Sequence, residues 1–452
     1  MQTNENDFEM KVNIKVVPPG PKGKKIVEED TEYLATSSKS LPIVAKRGRG
    51  VYIQDVDENV YIDFAAGIGV NNMGHIHPYI TEKVQEQLFK LWHFAGTDFY
   101  YQEQVDAAKA ISSVTPGKFK KKVFFTNSGT ESVEAAIKFA KVATRKQEFI
   151  SFIGAFHGRS QGSLSMTASK GIQKKYLFPS MPGVEHVPFP NPYRNIFGID
   201  GYEHPQELTN AALDFIEKYT LKMYMPPENV AAFVVEPIQG EGGYIVPPMD
   251  FHKKLRKLAD DNNMLVVMDE VQAGFGRTGK FFASEHFGVE PQIITLAKAI
   301  ANGLPMGAVV VDSKLDFPEL GLHSNTYGGN LLASVASKAT IEAMKKEGAV
   351  ENAAKRGKHL RQRLEELKER YDVIGDVRGI GLMQAIDFVK DRRTKEPAVK
   401  LRNDVEYKGF QNGIILLGTG ESAIRLIPPL IITDEQIDEG VECLEKAIKQ
   451  SL

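Results

Sequence analysis

The chain has 452 residues, of which 42% are hydrophobic and 25% charged, with a formal net charge of −2. That balance excludes a chain disordered throughout, and it carries no basic footprint for a nucleic-acid backbone or an anionic membrane. Cys443 is the one cysteine, so no internal disulfide framework and no multi-cysteine zinc site can form.

In chain order, Met1 to Lys25 is polar and lysine-bearing, with no apolar stretch of signal-peptide length. No run of ~18 apolar residues follows anywhere. We therefore expect a soluble, cytoplasmic protein. The prolines and glycine of Val16-Val17-Pro18-Pro19-Gly20-Pro21 disfavour a helix and predict an extended arm. A hairpin is expected next, with Val51–Ile53 and Val60–Phe64 flanking polar Asp55–Asn59.

The centre alternates. Val123–Thr126 reads as a short buried strand, followed by a helix with Val133, Ile137 and Ala140 on one face. Ala232–Val235 ends at Glu236, Met264–Met268 ends at Asp269, and a strand beginning at Ile293 ends near Lys298. Strands alternating with helices imply a mainly parallel sheet, whose ligands sit at the carboxyl ends of the strands. From about Gly348 the pattern changes. A helix carries Leu360, Leu364 and Leu367, and shorter strands and turns follow. A last helix opens at Thr433 with Gln436 in capping-box spacing and an apolar face of Ile437, Val441, Leu444 and Ile448. We expect an arm and part of a small domain over 1–75, a large domain over 76–345 and a small α+β domain over 346–452. The boundary should fall on a helix between Leu331 and Lys346.

The chemistry concentrates at strand ends. Asp269 closes one predicted strand within Met268-Asp269-Glu270-Val271-Gln272-Ala273-Gly274-Phe275-Gly276-Arg277-Thr278-Gly279, and Lys298 closes the next within Thr295-Leu296-Ala297-Lys298. An acid and a lysine so placed suit pyridoxal phosphate. The lysine forms a Schiff base with the aldehyde, and the carboxylate pairs with the protonated ring nitrogen. Ser128-Gly129-Thr130 lies where a strand turns into a helix. The backbone amides and hydroxyls there suit an anion, although Ser128 with Glu131 equally fits an ordinary capping box.

These segments resemble those of the class III pyridoxal-phosphate aminotransferases, the group of 4-aminobutyrate and ornithine aminotransferases. The resemblance runs from about Gly50 to the last helix. It implies an α/β, fold-type I transferase with a large, mainly parallel cofactor domain and a smaller α+β domain built from both chain ends. It also implies the cofactor pyridoxal 5′-phosphate, with its phosphate at Ser128, Gly129 and Thr130. In Gly154-Ala155-Phe156-His157-Gly158-Arg159, Phe156 would stack on the ring, His157 would lie beside it and Arg159 would meet a substrate carboxylate. Glu236 and Gln272 would support the cofactor's hydrogen bonds. Arg425, in Ser422-Ala423-Ile424-Arg425, would bind an α-carboxylate, and Glu241 would neutralise it when the substrate offers a distal amine. Thr326, in Asn325-Thr326-Tyr327-Gly328-Gly329, would reach the cofactor phosphate of a neighbouring subunit, which makes a homodimer the smallest working unit.

In this reading Lys298 and Asp269 are the catalytic pair, no metal is required, and 2-oxoglutarate is the amino acceptor. Two features point to different donors. Ile68 stands where 4-aminobutyrate enzymes tend to carry isoleucine and ornithine enzymes tyrosine. Thr97 and Asp98, in a segment resembling the substrate entrance, would read a second amine on a basic donor. An amino-acid racemase or aminomutase on the same scaffold is the competing expectation, and a cofactor-binding protein without activity is a third. Dependence on an oxo acid separates the first two.

Overall fold

The computed structural model describes residues 8–177 and 179–452. The first seven residues of the expected arm therefore lie outside the described residues. Two compact units emerge, one from residues up to Pro78 joined with Glu351–Leu452, the other from Tyr79–Val350.

The strands, in chain order, are β1 (Ala45–Arg49), β2 (Tyr52–Asp55), β3 (Val60–Asp63), β4 (Lys121–Thr126), β5 (Glu148–Phe152), β6 (Val184–Val187), β7 (Val230–Val235) and β8 (Leu265–Asp269). They continue with β9 (Ile293–Leu296), β10 (Gly307–Asp312), β11 (Ile374–Ile380), β12 (Met383–Phe388), β13 (Ile414–Ile415), β14 (Leu417–Thr419) and β15 (Ala423–Leu426).

In the larger unit, seven strands among the described residues form one sheet in the order β4-β10-β9-β8-β7-β5-β6. The pairs β6/β5, β5/β7, β7/β8 and β8/β9 are parallel, whereas β10 runs against both β9 and β4. All strands except β10 thus share one direction. The sheet is α/β and mainly parallel, as the alternation of strand and helix predicts. Its apolar runs face helices on both sides, which is why β7 and β9 are buried along their whole length. The helix Gly129–Thr144 buries Val133, Ile137 and Phe139 in a core that also holds Phe149, Val234, Val267, Ile293 and Val309. β4 differs from the expected buried strand: it lies at the sheet edge and is mostly half-buried.

The smaller unit joins the two ends of the chain. β13 pairs in parallel with β3, extending the β1-β2-β3 meander, while β11-β12-β15-β14 form a second antiparallel sheet. The last helix, Asp434–Ser451, opens with the reciprocal Thr433–Gln436 capping box and buries Ile437, Val441, Leu444 and Ile448. Gly440 sits on that buried face because a Cβ there would come within 2.3 Å of the Phe64 ring. One expectation needs correction. The extended arm stops at Gly20, and a helix spans Pro21–Tyr33 with Pro21 in its first turn. Proline is compatible with that position because the first N–H groups have no intrahelical acceptor. Asp57 stabilises this start by accepting from the N–H groups of Lys22 (2.9 Å) and Gly23 (2.7 Å).

Candidate active site

Strand direction alone brings the candidate residues of the larger unit to one edge. β4 runs into Ser128, β5 into Gly154–Arg159, β7 into Glu236, β8 ends at Asp269 and β9 runs into Lys298. The parallel register sets Asp269 opposite Thr295, three residues before Lys298. Lys298 opens a short 3-10 turn with a φ of +48°, in the left-handed region that residues with a Cβ seldom occupy. Such strain persists where the surroundings over-determine it, and it concentrates at functional sites.

Asp269 is buried and held on both oxygens. One lies 2.7 Å from Nδ1 of His157, and the other accepts from the Val271 N–H at 3.0 Å. Burial by itself would lower the pKa of His157. The hydrogen bond to Asp269, with the negative charges of Asp269 and Glu236, outweighs it, and the pKa is raised. Nε2 of His157 is buried with no hydrogen-bond partner among the described residues.

Glu236 links two segments of the site. Its oxygens accept from the N–H of Phe156 (3.0 Å) and of Gly240 (2.8 Å). Burial lifts its pKa to about 7 against the nearby His157 and the two amides. Gln272 accepts from the Tyr244 hydroxyl at 2.7 Å. Phe156 is half-buried, and the exposed Arg159 guanidinium sits 5.7 Å from its ring centroid.

At the helix start, Ser128 Oγ caps the Glu131 N–H at 3.4 Å, but Glu131 turns back to the N–H of Asn127 and not to that of Ser128. The capping box is therefore only half formed. The Thr130 hydroxyl accepts from the N–H groups of Arg159 (3.2 Å) and Ser160 (3.1 Å), so it anchors the Phe156–Arg159 segment. The amides of Gly129 and Thr130, lacking intrahelical acceptors, are the groups suited to an anion. A Cβ on Gly129 would meet Val271 at 3.0 Å and Ala297 at 3.6 Å. This turn is thus pressed against the residues flanking Asp269 and Lys298.

These features fit pyridoxal phosphate. A carboxylate held beside an imidazole suits a ring nitrogen, a helix start suits a phosphate, and a lysine stands on the adjoining turn. No cluster of three His, Cys, Asp or Glu side chains suited to a metal occurs among the described residues.

Other expected site residues fall as follows. Thr97 and Asp98 are exposed on a turn, and Thr97 Oγ1 donates to the carbonyl of Asn325 at 2.8 Å. Asn325 Nδ2 in turn donates to the Phe125 carbonyl of β4 at 2.8 Å, and Thr326 beside it is exposed. Glu241 meets Lys170 at 3.5 Å. In the smaller unit, Arg425 is buried on β15 and donates to the Gly418 carbonyl at 2.8 Å. Ile68, in the smaller unit, is 45% exposed.

Sequence reasoning missed Lys170, Tyr244 and Thr167, the last accepting from the His157 N–H at 3.0 Å. None belongs to a local spacing pattern, and only the packing of loops at the sheet edge brings them in.

A second buried acid gives a pH test. Glu270, beside Asp269, accepts from the N–H groups of Ala283 (3.0 Å) and Ser284 (2.7 Å), and burial raises its pKa to about 7. As pH rises from about 4.5 the unfolded chain releases this proton first, so stability falls until the folded protein follows near 7. The upper limit is about 3 kcal/mol. Urea titrations across this range should fall less steeply for Glu270→Gln than for the parent. Parallel curves would contradict the assignment.

Comparison with known proteins agrees with this geometry. The family model described as aminotransferase class-III matches residues 33–448. The alanine/serine racemase of Pyrococcus horikoshii is 40% identical over 443 residues, covering 97% of this chain and 93% of that protein. The acetylornithine aminotransferase of Methanosarcina mazei is 38% identical over 422 residues, covering 93% and 96%. Among solved structures, the taurine:2-oxoglutarate aminotransferase of Bifidobacterium kashiwanohense, in complex with PLP and glutamate, matches with a TM-score of 0.89 at 29% identity, over 95% of this chain and 98% of that one. With a family match over nearly its whole length and relatives this similar from end to end, the chain belongs to the class III aminotransferase family, whose cofactor is pyridoxal phosphate.

Proposed function

We propose that this enzyme is an ω-amino-acid transaminase, moving the distal amino group of a 4-aminobutyrate- or ornithine-type donor to 2-oxoglutarate. The observation that carries the reading is Glu241. Lys170 is one of its partners, at 3.5 Å. A transaminase whose donor presents a distal amine and whose acceptor presents an α-carboxylate needs a charge that can change partner. Arg425 holds the acceptor's α-carboxylate, and Glu241 neutralises Arg425 during the donor half of the reaction.

Pyridoxal phosphate, when bound, supplies the aldehyde that takes up the amine and the ring that accepts an electron pair. Lys298 anchors it, and its Nζ then moves a proton to and from the substrate carbon. Asp269, braced by His157, presents its carboxylate to the ring nitrogen. Phe156 covers the ring, Glu236 and Gln272 with Tyr244 steady the loops around it, and Gly129 and Thr130 direct amides to the phosphate with Ser128. Arg159 serves a substrate carboxylate. Ile68, Thr97 and Asp98 set the choice of donor.

The working unit is a homodimer in which Thr326, Thr97 and Asp98 serve the neighbouring site. Exposed aromatic residues support this: Phe89, Trp92, Phe94, Phe99, Tyr100 and Tyr327 flank those residues in the chain. Patches of this kind mark interaction sites. No helix among the described residues is long and apolar enough to cross a membrane. We assign the enzyme to the cytoplasm on its single cysteine.

A second reading, racemisation of a neutral amino acid, is favoured by the similarity to an alanine/serine racemase. One experiment separates the two. The loaded enzyme is mixed with L-ornithine, 4-aminobutyrate or L-alanine, without oxo acid, while cofactor absorbance and enantiomer content are followed. Stoichiometric conversion of the cofactor to its amine form by ornithine or 4-aminobutyrate supports the transaminase. Catalytic build-up of D-alanine with the cofactor unchanged defeats it.

A further inference from the structure

The helix start at Ser128 joins two elements of the larger unit, the end of β4 and the helix Gly129–Thr144. His323, from far along the chain, touches both. Its ring stacks on Phe124 of β4, with centroids 4.8 Å apart and planes 18° from parallel. Its Nδ1 accepts from Nζ of Lys138, on the helix, at 3.0 Å. Chemistry fixes the direction of that bond. An ammonium has donors and no acceptor, so the ring must be neutral, with its proton on Nε2. Protonating Nδ1 would replace the hydrogen bond by two facing cations, the reverse of a histidine beside a carboxylate. Burial, then the Lys138 charge, lower the pKa of His323 against the opposing pull of Glu131. Lys138 and Glu131, both on the helix, are the charged groups that act on the ring. β4 and the segment before the turn present Phe124 and Phe317, and Lys122, on the Phe124 side of β4, is paired with Asp316.

His323 also begins a turn that is fastened to the end of β4. Asn325 Nδ2 donates to the Phe125 carbonyl at 2.8 Å, and its Oδ1 accepts from the Gly328 N–H. Glycine is required at 328 because a Cβ would come within 2.4 Å of the Phe125 carbonyl oxygen. Beyond it, Gln104 Nε2 donates to the carbonyls of Gly328 (3.2 Å) and Gly329 (3.0 Å). The far end of the turn is thus secured by an amide that does not titrate, whereas the near end begins at a histidine that does.

We propose that His323 is a positioning residue for the helix start at Ser128: as a neutral imidazole it clamps β4 to the helix Gly129–Thr144, and its protonation slackens the clamp, so that the cofactor phosphate is held less tightly in acid. The inference rests on the reading of Ser128, Gly129 and Thr130 as the phosphate site. The sign follows from the lowered pKa. As pH falls, the unfolded chain takes up this proton first, near 6.5, so the clamp contributes fully above that value and progressively less as pH drops toward the lower pKa of the folded protein.

The test uses the full chain with His323→Asn, His323→Phe and Lys138→Met. Asparagine places an acceptor where Nδ1 stands and cannot be protonated, and phenylalanine keeps the stacked ring without the acceptor. Two quantities are measured at about pH 7.5 and about pH 5, on either side of the histidine range. One is hydrogen exchange of the turn from His323 to Gly329, corrected for the intrinsic pH dependence of exchange. The other is the dissociation constant of pyridoxal phosphate and of pyridoxal, which lacks the phosphate. At the higher pH, His323→Asn should match the parent within about twofold. His323→Phe and Lys138→Met should exchange faster and bind pyridoxal phosphate about three- to tenfold more weakly, the range of one lost hydrogen bond, with pyridoxal unchanged. At the lower pH the parent should fall behind His323→Asn by a similar factor. An acid response of the same size in His323→Asn, or exchange and affinity unchanged in both His323→Phe and Lys138→Met, would overturn the proposal. The exchange measurement needs no cofactor, so the clamp stands or falls by itself. Variants that weaken pyridoxal as much as pyridoxal phosphate would instead refute the phosphate reading of Ser128, Gly129 and Thr130. Neither measurement uses turnover, so a finding of racemase activity defeats the proposed function without touching this inference.

Discussion

Replacing Lys298 by alanine should lower turnover by at least ~10⁴-fold while leaving the protein folded. Two losses combine: the covalent anchor and the amine that moves the proton. The groups bonded to Asp269 and Glu236 are an imidazole and backbone amides, none of which can replace an amine. The backbone adds a separate expectation. With φ at +48°, Lys298 occupies a position that glycine would fill without strain. Lys298→Gly should therefore be as inactive as Lys298→Ala but no less stable, although glycine at an unstrained position usually costs about 0.5–1 kcal/mol. Steady-state assays and urea unfolding of both variants check this. Turnover above about a hundredth of the parent rate would remove Lys298 from the proposed mechanism.

For Asp269→Asn we expect a loss of about 10³-fold in kcat at saturating cofactor. The amide still accepts from the Val271 N–H, so the loop geometry survives, but the charge that the proposed function sets opposite the ring nitrogen is gone. The same change acts on His157. Its pKa is raised because Asp269 and Glu236 together outweigh burial, and without the Asp269 charge burial should dominate and lower it. A titration of the His157 ring by nitrogen NMR, parent against variant, reads this independently of activity. Asp269→Ala should also cost about 3–5 kcal/mol of stability, because it leaves a buried imidazole without its partner. Activity within tenfold of the parent, or a His157 titration that does not move, would contradict the assignment.

Much of this architecture was legible residue by residue. The apolar runs ending at Glu236, Asp269 and near Lys298 reported β7, β8 and β9 because a strand buried on both faces must be apolar throughout. The Thr433–Gln436 capping box announced the last helix because its bonds span only three residues. Pro21 misled, since proline breaks a helix interior but is accommodated in a first turn. The half-formed cap at Ser128 was equally hidden, because Glu131 found the Asn127 amide one residue earlier.

By itself, then, the sequence determined the parallel sheet, the acid and the lysine at its edge, and the family they belong to. These follow from local periodicity and from residue types whose chemistry is their own. Tertiary structure alone decided what surrounds them: His157 behind Asp269, Thr130 beneath the Phe156–Arg159 segment, Lys170 against Glu241 and His323 between Phe124 and Lys138. Each of these partnerships depends on where two segments meet in space and on the backbone angle at which a side chain is presented. Neither quantity has a period or a spacing in the chain.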